Sequence, residues 1–291
     1  MEKRILKEIK KKKAEISRMK KSEKGFKDLF GIKCPVIGMI HVPALPGTPR
    51  FRLSIREILE KVSQEAELYA QAGVDGIAIE NMHDIPYLKR EIGPEITAMM
   101  TAIGLAVKNV TDLPCGIQIL AGANQAALAA AQAANLDFIR AEGFVYGHLA
   151  DEGLMDSDAG ALLRYRRQIG AEDIFILTDI KKKHSSHAIS ADISLAETAH
   201  AAEFFLSDGL IVTGTATGKA AKIEDLKAVK EASQLPVLIG SGITPENLQD
   251  FFPLADGLII GSYFKKGGYW ENEPDLERIE GFMDLVKELR G

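Results

Sequence analysis

Residues 176–187 read ILTDIKKKHSSH, an apolar run that passes without a turn into an aspartate, three lysines and two histidines. A carboxylate, several ammonium groups and imidazoles so close together could exchange protons or hold an anion. Groups of the same kind follow other apolar runs: His41, then Glu80 with Asn81, then Gln118, then Arg140 with Glu142. Hydroxyl and glycine clusters close three more, at Thr213-Gly214-Thr215, Gly240-Ser241-Gly242 and Gly261-Ser262. A charge run by itself is usually solvated surface, so these residues become informative only through the elements that carry them.

Those elements recur with a fixed rhythm. Eight short runs rich in Val and Ile lie at 36–42, 76–81, 115–120, 138–143, 174–180, 209–214, 236–242 and 257–263, each followed by a stretch of helical periodicity. The helices are expected at 54–72, 94–109, 124–134, 159–169, 192–206, 223–233, 245–252 and 276–289. Ser54 with Glu57, and Thr244 before Pro245, are start signals. Eight strand and helix units in one chain predict an α/β fold of the (β/α)8 TIM barrel class. A doubly wound open sheet is the alternative, but it usually has fewer strands and a GxGxxG near its first turn, which is absent here.

A barrel places its active site at the C-terminal ends of the strands. Glu80, Asp179, Lys183, His184 and His41 then become candidate catalytic groups, and Asn81, Gln118, Arg140, Glu142 and Lys181 candidate substrate contacts. Alternation along an extended chain would put Lys181 and Lys183 on the side of Asp179, leaving Lys182 and His187 to solvent. Thr213, Gly214, Thr215, Gly240, Ser241, Gly242, Gly261 and Ser262 lie where small residues let backbone amides approach a phosphate, and Lys265 could add charge. The long loop FVYGHLADEGLMDSDAG could serve as a lid, with its acids read as solvated.

Composition narrows the partners. The net charge of −5 divides into a basic segment, residues 1–30 with twelve Lys or Arg against five Asp or Glu, and an acidic remainder, 31–291. The first is expected to be a basic N-terminal extension, helical or frayed, and the second the barrel. An acidic body offers no nucleic-acid footprint. No apolar run of membrane-spanning length and no signal peptide is evident, so the expectation is a cytoplasmic protein without membrane insertion. Cys34 and Cys115 stand far apart, giving no support for a disulfide framework or a zinc site. No metal site and no cofactor is predicted, with a divalent cation left open, and a homo-oligomer is compatible with such a barrel.

The stretches IGMIHVPALPGTP, DGIAIENMHDIPY, LDFIRAEG, DEGLMDSDAGALLRYRRQIGA, TDIKKKHSSH, DGLIVTGTATG and LIGSGITPENL resemble the BtpA family of (β/α)8 proteins, from about Cys34 to Lys287. The resemblance marks His41, Pro46-Gly47, Glu80, Asn81, Asp84, Pro86, Arg140, Asp179, Lys183-His184 and the glycines after strands 6 to 8. RAEGFVYGH is closer to forms seen in animals. The family name comes from photosystem I biogenesis and brings no settled reaction.

Two functions follow as expectations. One is an enzyme acting on a phosphorylated small molecule, a sugar phosphate or nucleotide-like compound, by lyase, isomerase or glycosyl-transfer chemistry. Within it, Lys183 could form a Schiff base if burial beside Lys181 lowers its pKa, or Glu80 and Glu142 could act as an acid and base pair. The other is a non-catalytic assembly factor for a membrane complex.

Overall fold

The computed structural model describes residues 25–214 and 216–291. Its elements in chain order are α1 (Phe26–Phe30), β1 (Val36–His41), α2 (Ile55–Gln71), β2 (Gly76–Glu80), α3 (Pro94–Val110), β3 (Cys115–Gln118), α4 (Asn124–Ala133) and β4 (Phe138–Ala141). Next come β5 (His148–Ala150), β6 (Gly153–Met155), α5 (Ala159–Gln168), β7 (Phe175–Asp179), β8 (Ser185–Ser186), α6 (Leu195–Phe204), β9 (Gly209–Val212), α7 (Ile223–Ala232), β10 (Val237–Ile239), α8 (Pro245–Phe251), β11 (Gly257–Ile260) and α9 (Leu276–Arg290). The runs that lack polar alternation become parallel strands covered on both faces. They close in the order β1-β11-β10-β9-β7-β4-β3-β2, the TIM barrel expected from the sequence.

The expected strands run one to three residues too long at their C-terminal ends, because there the chain leaves the ladder to build the mouth. Helix α6 starts at Leu195 rather than 192. Ser194 and Glu197 form a reciprocal capping box there, the signal that fixes the start. The boxed start at Ser54 and Glu57 is as read from the sequence.

Two devices set the barrel's lower end. Asp75, Asp137, Asp208 and Asp256 immediately precede β2, β4, β9 and β11, and each accepts a backbone N–H from the start of the preceding barrel strand, at Val36, Cys115, Ile176 and Val237. The repeated Asp before an apolar run is thus a register lock. Inside the barrel, Ile37, Met39, Ala78, Phe138, Leu177, Ile211, Leu238 and Ile259 fill the lumen, and Phe26 of α1 joins this cluster from below. The described part of the basic segment therefore includes a helix that stoppers the barrel, while residues 1–24 lie outside the described residues.

The upper end carries a second sheet. The hairpin β5–β6 pairs antiparallel with β8, Leu149 opposite Ser186 and Ala150 opposite Ser185. The long loop after β4 and the lysine run after β7 are thereby one structure; Asp151 and Asp156 are exposed as the solvated reading expects, whereas Glu152 and Asp158 are drawn in against Lys182 and Arg90. Among the described residues, no helix is long and apolar enough to cross a membrane.

Candidate active site at the barrel mouth

Side chains alternate in and out along a strand. Above the apolar layer, His41, Glu80, Gln118, Arg140, Asp179, Gly240 and Gly261 therefore occupy the inward positions next to the mouth. The deepest of the charged pairs is Arg140 with Asp179. Arg140 donates from Nε at 3.2 Å and from Nη2 at 3.0 Å to each carboxylate oxygen, with both side chains buried. Burial alone would lower the Arg140 pKa, but Asp179 and Glu80 outweigh it and raise it. The pair is a fixed, charged floor.

Above it lies a cavity of about 170 Å³ walled by Glu80, Arg140, Lys183, the Gly240-Ser241-Gly242 and Gly261-Ser262 loops, and Arg278. Lys183 has no carboxylate within ion-pair distance among the described residues. Burial, and then repulsion by Arg140, push its pKa below the ordinary lysine value, against the pull of Glu80 and Asp179. The glycines are there for space. A Cβ at Gly240 would stand 2.6 Å from the Ile211 side chain, and one at Gly261 would stand 3.3 Å from His41 Nε2. Gly242 has φ +72°, and its Cβ would collide with the Ala220 backbone, so the Gly242 turn also seats the loop after β9.

His41 closes one side of the cavity. Its Nδ1 lies 2.9 Å from the Trp270 carbonyl, which can only accept, so that nitrogen carries the proton. Burial, and then the nearby Lys265 charge, hold the ring's pKa well below its ordinary value. The ring is accordingly neutral, with the Nε2 lone pair free and 3.8 Å from Glu80 Oε2. A neutral imidazole with a fixed tautomer beside a carboxylate is a proton acceptor held ready for use.

Several expected site residues serve elsewhere. Asn81 is consumed by the fold: its amide donates to Asp84 at 2.8 Å and its carbonyl accepts the Leu120 N–H at 2.8 Å. Gln118 donates to Glu142 at 3.1 Å. Glu142, whose pKa burial raises despite Lys182, meets the Lys182 ammonium at 3.2 Å and does not line the cavity. Glu80 and Glu142 thus do not share the cavity as an acid and base pair would. Lys182, expected in solvent, sits between Glu142 and Glu152 with an 8% exposed side chain. His187, also expected in solvent, is half-buried, with its Nε2 2.9 Å from the Lys182 carbonyl. The alternation predicted for the lysines fails because β7 ends at Asp179 and the chain turns.

Lys181 points away from the mouth and donates to the Ile193 carbonyl at 3.2 Å. Lys183 owes its shift first to burial and then to Arg140, not to Lys181. His184, exposed at φ +54°, accepts the Thr217 N–H at 3.1 Å and so pins the loop after β9 over the cavity. Thr213 and Gly214 line a different cavity behind β7, and Thr215 lies outside the described residues. Lys265, expected to add charge for an anion, is buried against Glu65 instead. Arg278 is the group sequence reasoning missed. It stacks 4.2 Å over the Tyr263 ring and donates to the Tyr263 carbonyl at 2.8 Å, and nothing local distinguishes it from other helix arginines.

Comparison with known proteins agrees with this architecture. A model described as the BtpA family matches residues 32–288. An uncharacterised mitochondrial protein of Caenorhabditis elegans is 51% identical, covering 88% of this chain and 94% of its own. A photosystem I biogenesis protein BtpA of Synechocystis is 34% identical over 87% and 88%. Among solved structures, the (S)-3-O-geranylgeranylglyceryl phosphate synthase of Thermoplasma acidophilum matches with TM-score 0.56 at 17% identity, covering 93% of this chain and 96% of that one. The thiamine phosphate pyrophosphorylase of Pyrococcus furiosus matches with TM-score 0.54 at 16%, covering 90% and 98%. These likenesses establish the fold.

Proposed function

The chain belongs to the BtpA family, and on that premise we propose that it is an enzyme acting on a phosphorylated small molecule, of sugar-phosphate or nucleotide-like type, at the barrel mouth. The observation that carries this reading is Lys183, a half-buried ammonium with no carboxylate within ion-pair distance among the described residues, facing a small cavity bordered by glycine loops and Arg278. A cation drawn partly out of water, with Glu80 and Asp179 beyond contact distance, is incompletely balanced, and a bound anion would complete the balance. Loops after the last two barrel strands are the usual phosphate site of this fold. The two solved structures named above bear the names of enzymes of phosphorylated compounds, one in complex with sn-glycerol-1-phosphate.

His41 Nε2 and Glu80 border the same cavity, where proton transfer to or from the bound molecule is needed for lyase, isomerase or glycosyl-transfer chemistry alike. Arg140 with Asp179 holds the charge below. A covalent version has one observation in its favour, the lowered pKa of Lys183, which makes the free amine more available. Borohydride trapping with glyceraldehyde 3-phosphate reads it, and no mass shift at Lys183 removes it.

The main test is thermal shift and calorimetry with inorganic phosphate and ribose 5-phosphate. Both should stabilise the wild type by mass action, and Lys183→Met and Arg278→Gln should lose most of the shift. Wild type that ignores every anion tested would leave the assembly-factor reading, which rests on the name of the Synechocystis relative. A cytoplasmic location is proposed beside a relative named mitochondrial; fractionation against organelle markers decides it.

A further inference from the structure

The anion cavity is small for a whole substrate. At about 170 Å³ it falls below the ~300–1,000 Å³ usual for small-molecule sites. A second cavity of about 610 Å³ lies next to it, between the loop after β1, helix α2 and the segment 265–274, and His41 belongs to the walls of both. Its walls combine apolar groups, Pro43, Ala44, Leu53, Val62 and Leu68, with five cationic and three carboxylate side chains.

The carboxylates are already matched. Glu65 contacts Lys265, Glu271 lies 3.4 Å from Arg50, and Glu273 lies 3.4 Å from Lys61 and 3.3 Å from Lys266. Arg52 has no carboxylate partner among the described residues and donates only to the Pro49 and Phe51 carbonyls. The cavity is therefore apolar in body and positive at its rim.

We propose that this second cavity binds the apolar body of an organic anion, a flat ring bearing an acidic group, presented beside His41. That such a body and the phosphate are two parts, or two partners, of one reaction rests on the phosphate reading above; the existence of the second site does not. The segment 265–274 couples the two cavities, since its Trp270 carbonyl fixes the His41 tautomer while its Glu271 and Glu273 tie it to α2 and the loop before it. His83 packs at a tilt against Trp270, with ring centroids 5.0 Å apart, and lines the second cavity.

The probe is 8-anilinonaphthalene-1-sulfonate, which has an aromatic body and one anionic group, titrated into the intact protein by fluorescence and calorimetry. Expected is one site per chain, weakened at least fivefold by Arg52→Glu at the exposed rim and by Leu53→Trp, which fills the cavity from its edge. Neither variant should alter the phosphate-induced melting shift, and circular dichroism melts check that both remain folded. Dye binding that is unchanged in both folded variants, or that inorganic phosphate displaces competitively, would overturn the proposal. Absence of a phosphate shift in wild type with dye binding intact would overturn the phosphate reading alone.

Discussion

Arg140 and Asp179 show how a single residue can be decisive without touching a ligand. Their bidentate pair is closed off from water, so removing the carboxylate strands a buried guanidinium. Asp179→Asn, nearly the same shape, is expected to cost about 3–5 kcal/mol, as breaking a buried pair typically does, measured by urea denaturation. A loss below about 1 kcal/mol would mean that Arg140 finds water or Glu80 instead. The residues read from the sequence as chemical were largely at the mouth, because alternation puts His41, Glu80, Arg140 and Asp179 inward on short strands whose apolar run fixes the phase. Reading failed one residue past the strand ends. There Lys181, Lys182 and Lys183 take three different directions, set by Ile193, by Glu142 with Glu152, and by the cavity.

At the scale of elements, the three-stranded sheet above the mouth joins the loops after β4 and β7, and His148 is where its packing meets pH. Its ring is buried, its Nε2 has no hydrogen-bond partner, and the His187 ring lies 5.4 Å away. Burial pushes its pKa down to about 4, and His187, Lys182 and Arg90 all act in the same direction. A base whose folded pKa lies below its unfolded value is protonated first in the unfolded chain. Wild type should thus lose stability as pH falls from about 6.5 toward about 4, and His148→Phe should lack that component. Parallel denaturation series at several pH values check it; coincident slopes for the two proteins would show that His148 does not titrate there. The sheet was hidden in the sequence because its strands are two or three residues long and β5 and β8 pair residues more than thirty positions apart, Leu149 with Ser186.

For the whole molecule, the question is where the folded body begins. Phe26 is 4% exposed and packs with the luminal side chains. Phe26→Ala should cost about 3 kcal/mol, at the lower end for a buried phenylalanine. A chain starting at Gly31 should melt several degrees below one starting at Gly25. Equal melting of the two would show that the lumen closes without α1. Within the basic segment read as residues 1–30, Phe26 packs with the barrel because it offers apolar area to an open barrel end, which composition cannot reveal.

What the sequence by itself determined is the barrel, its family and the strand ends at which chemistry is placed. Those follow from local periodicity, eight apolar runs and their capped helices, which any neighbour in space must respect. What only the tertiary structure decided is the division of labour among the polar groups. Asn81 and Lys265 are spent holding the fold, Lys183 is left facing a cavity, and Arg278 arrives from the last helix. Such assignments depend on which groups meet across tens to hundreds of residues, and on which charges burial leaves without a partner.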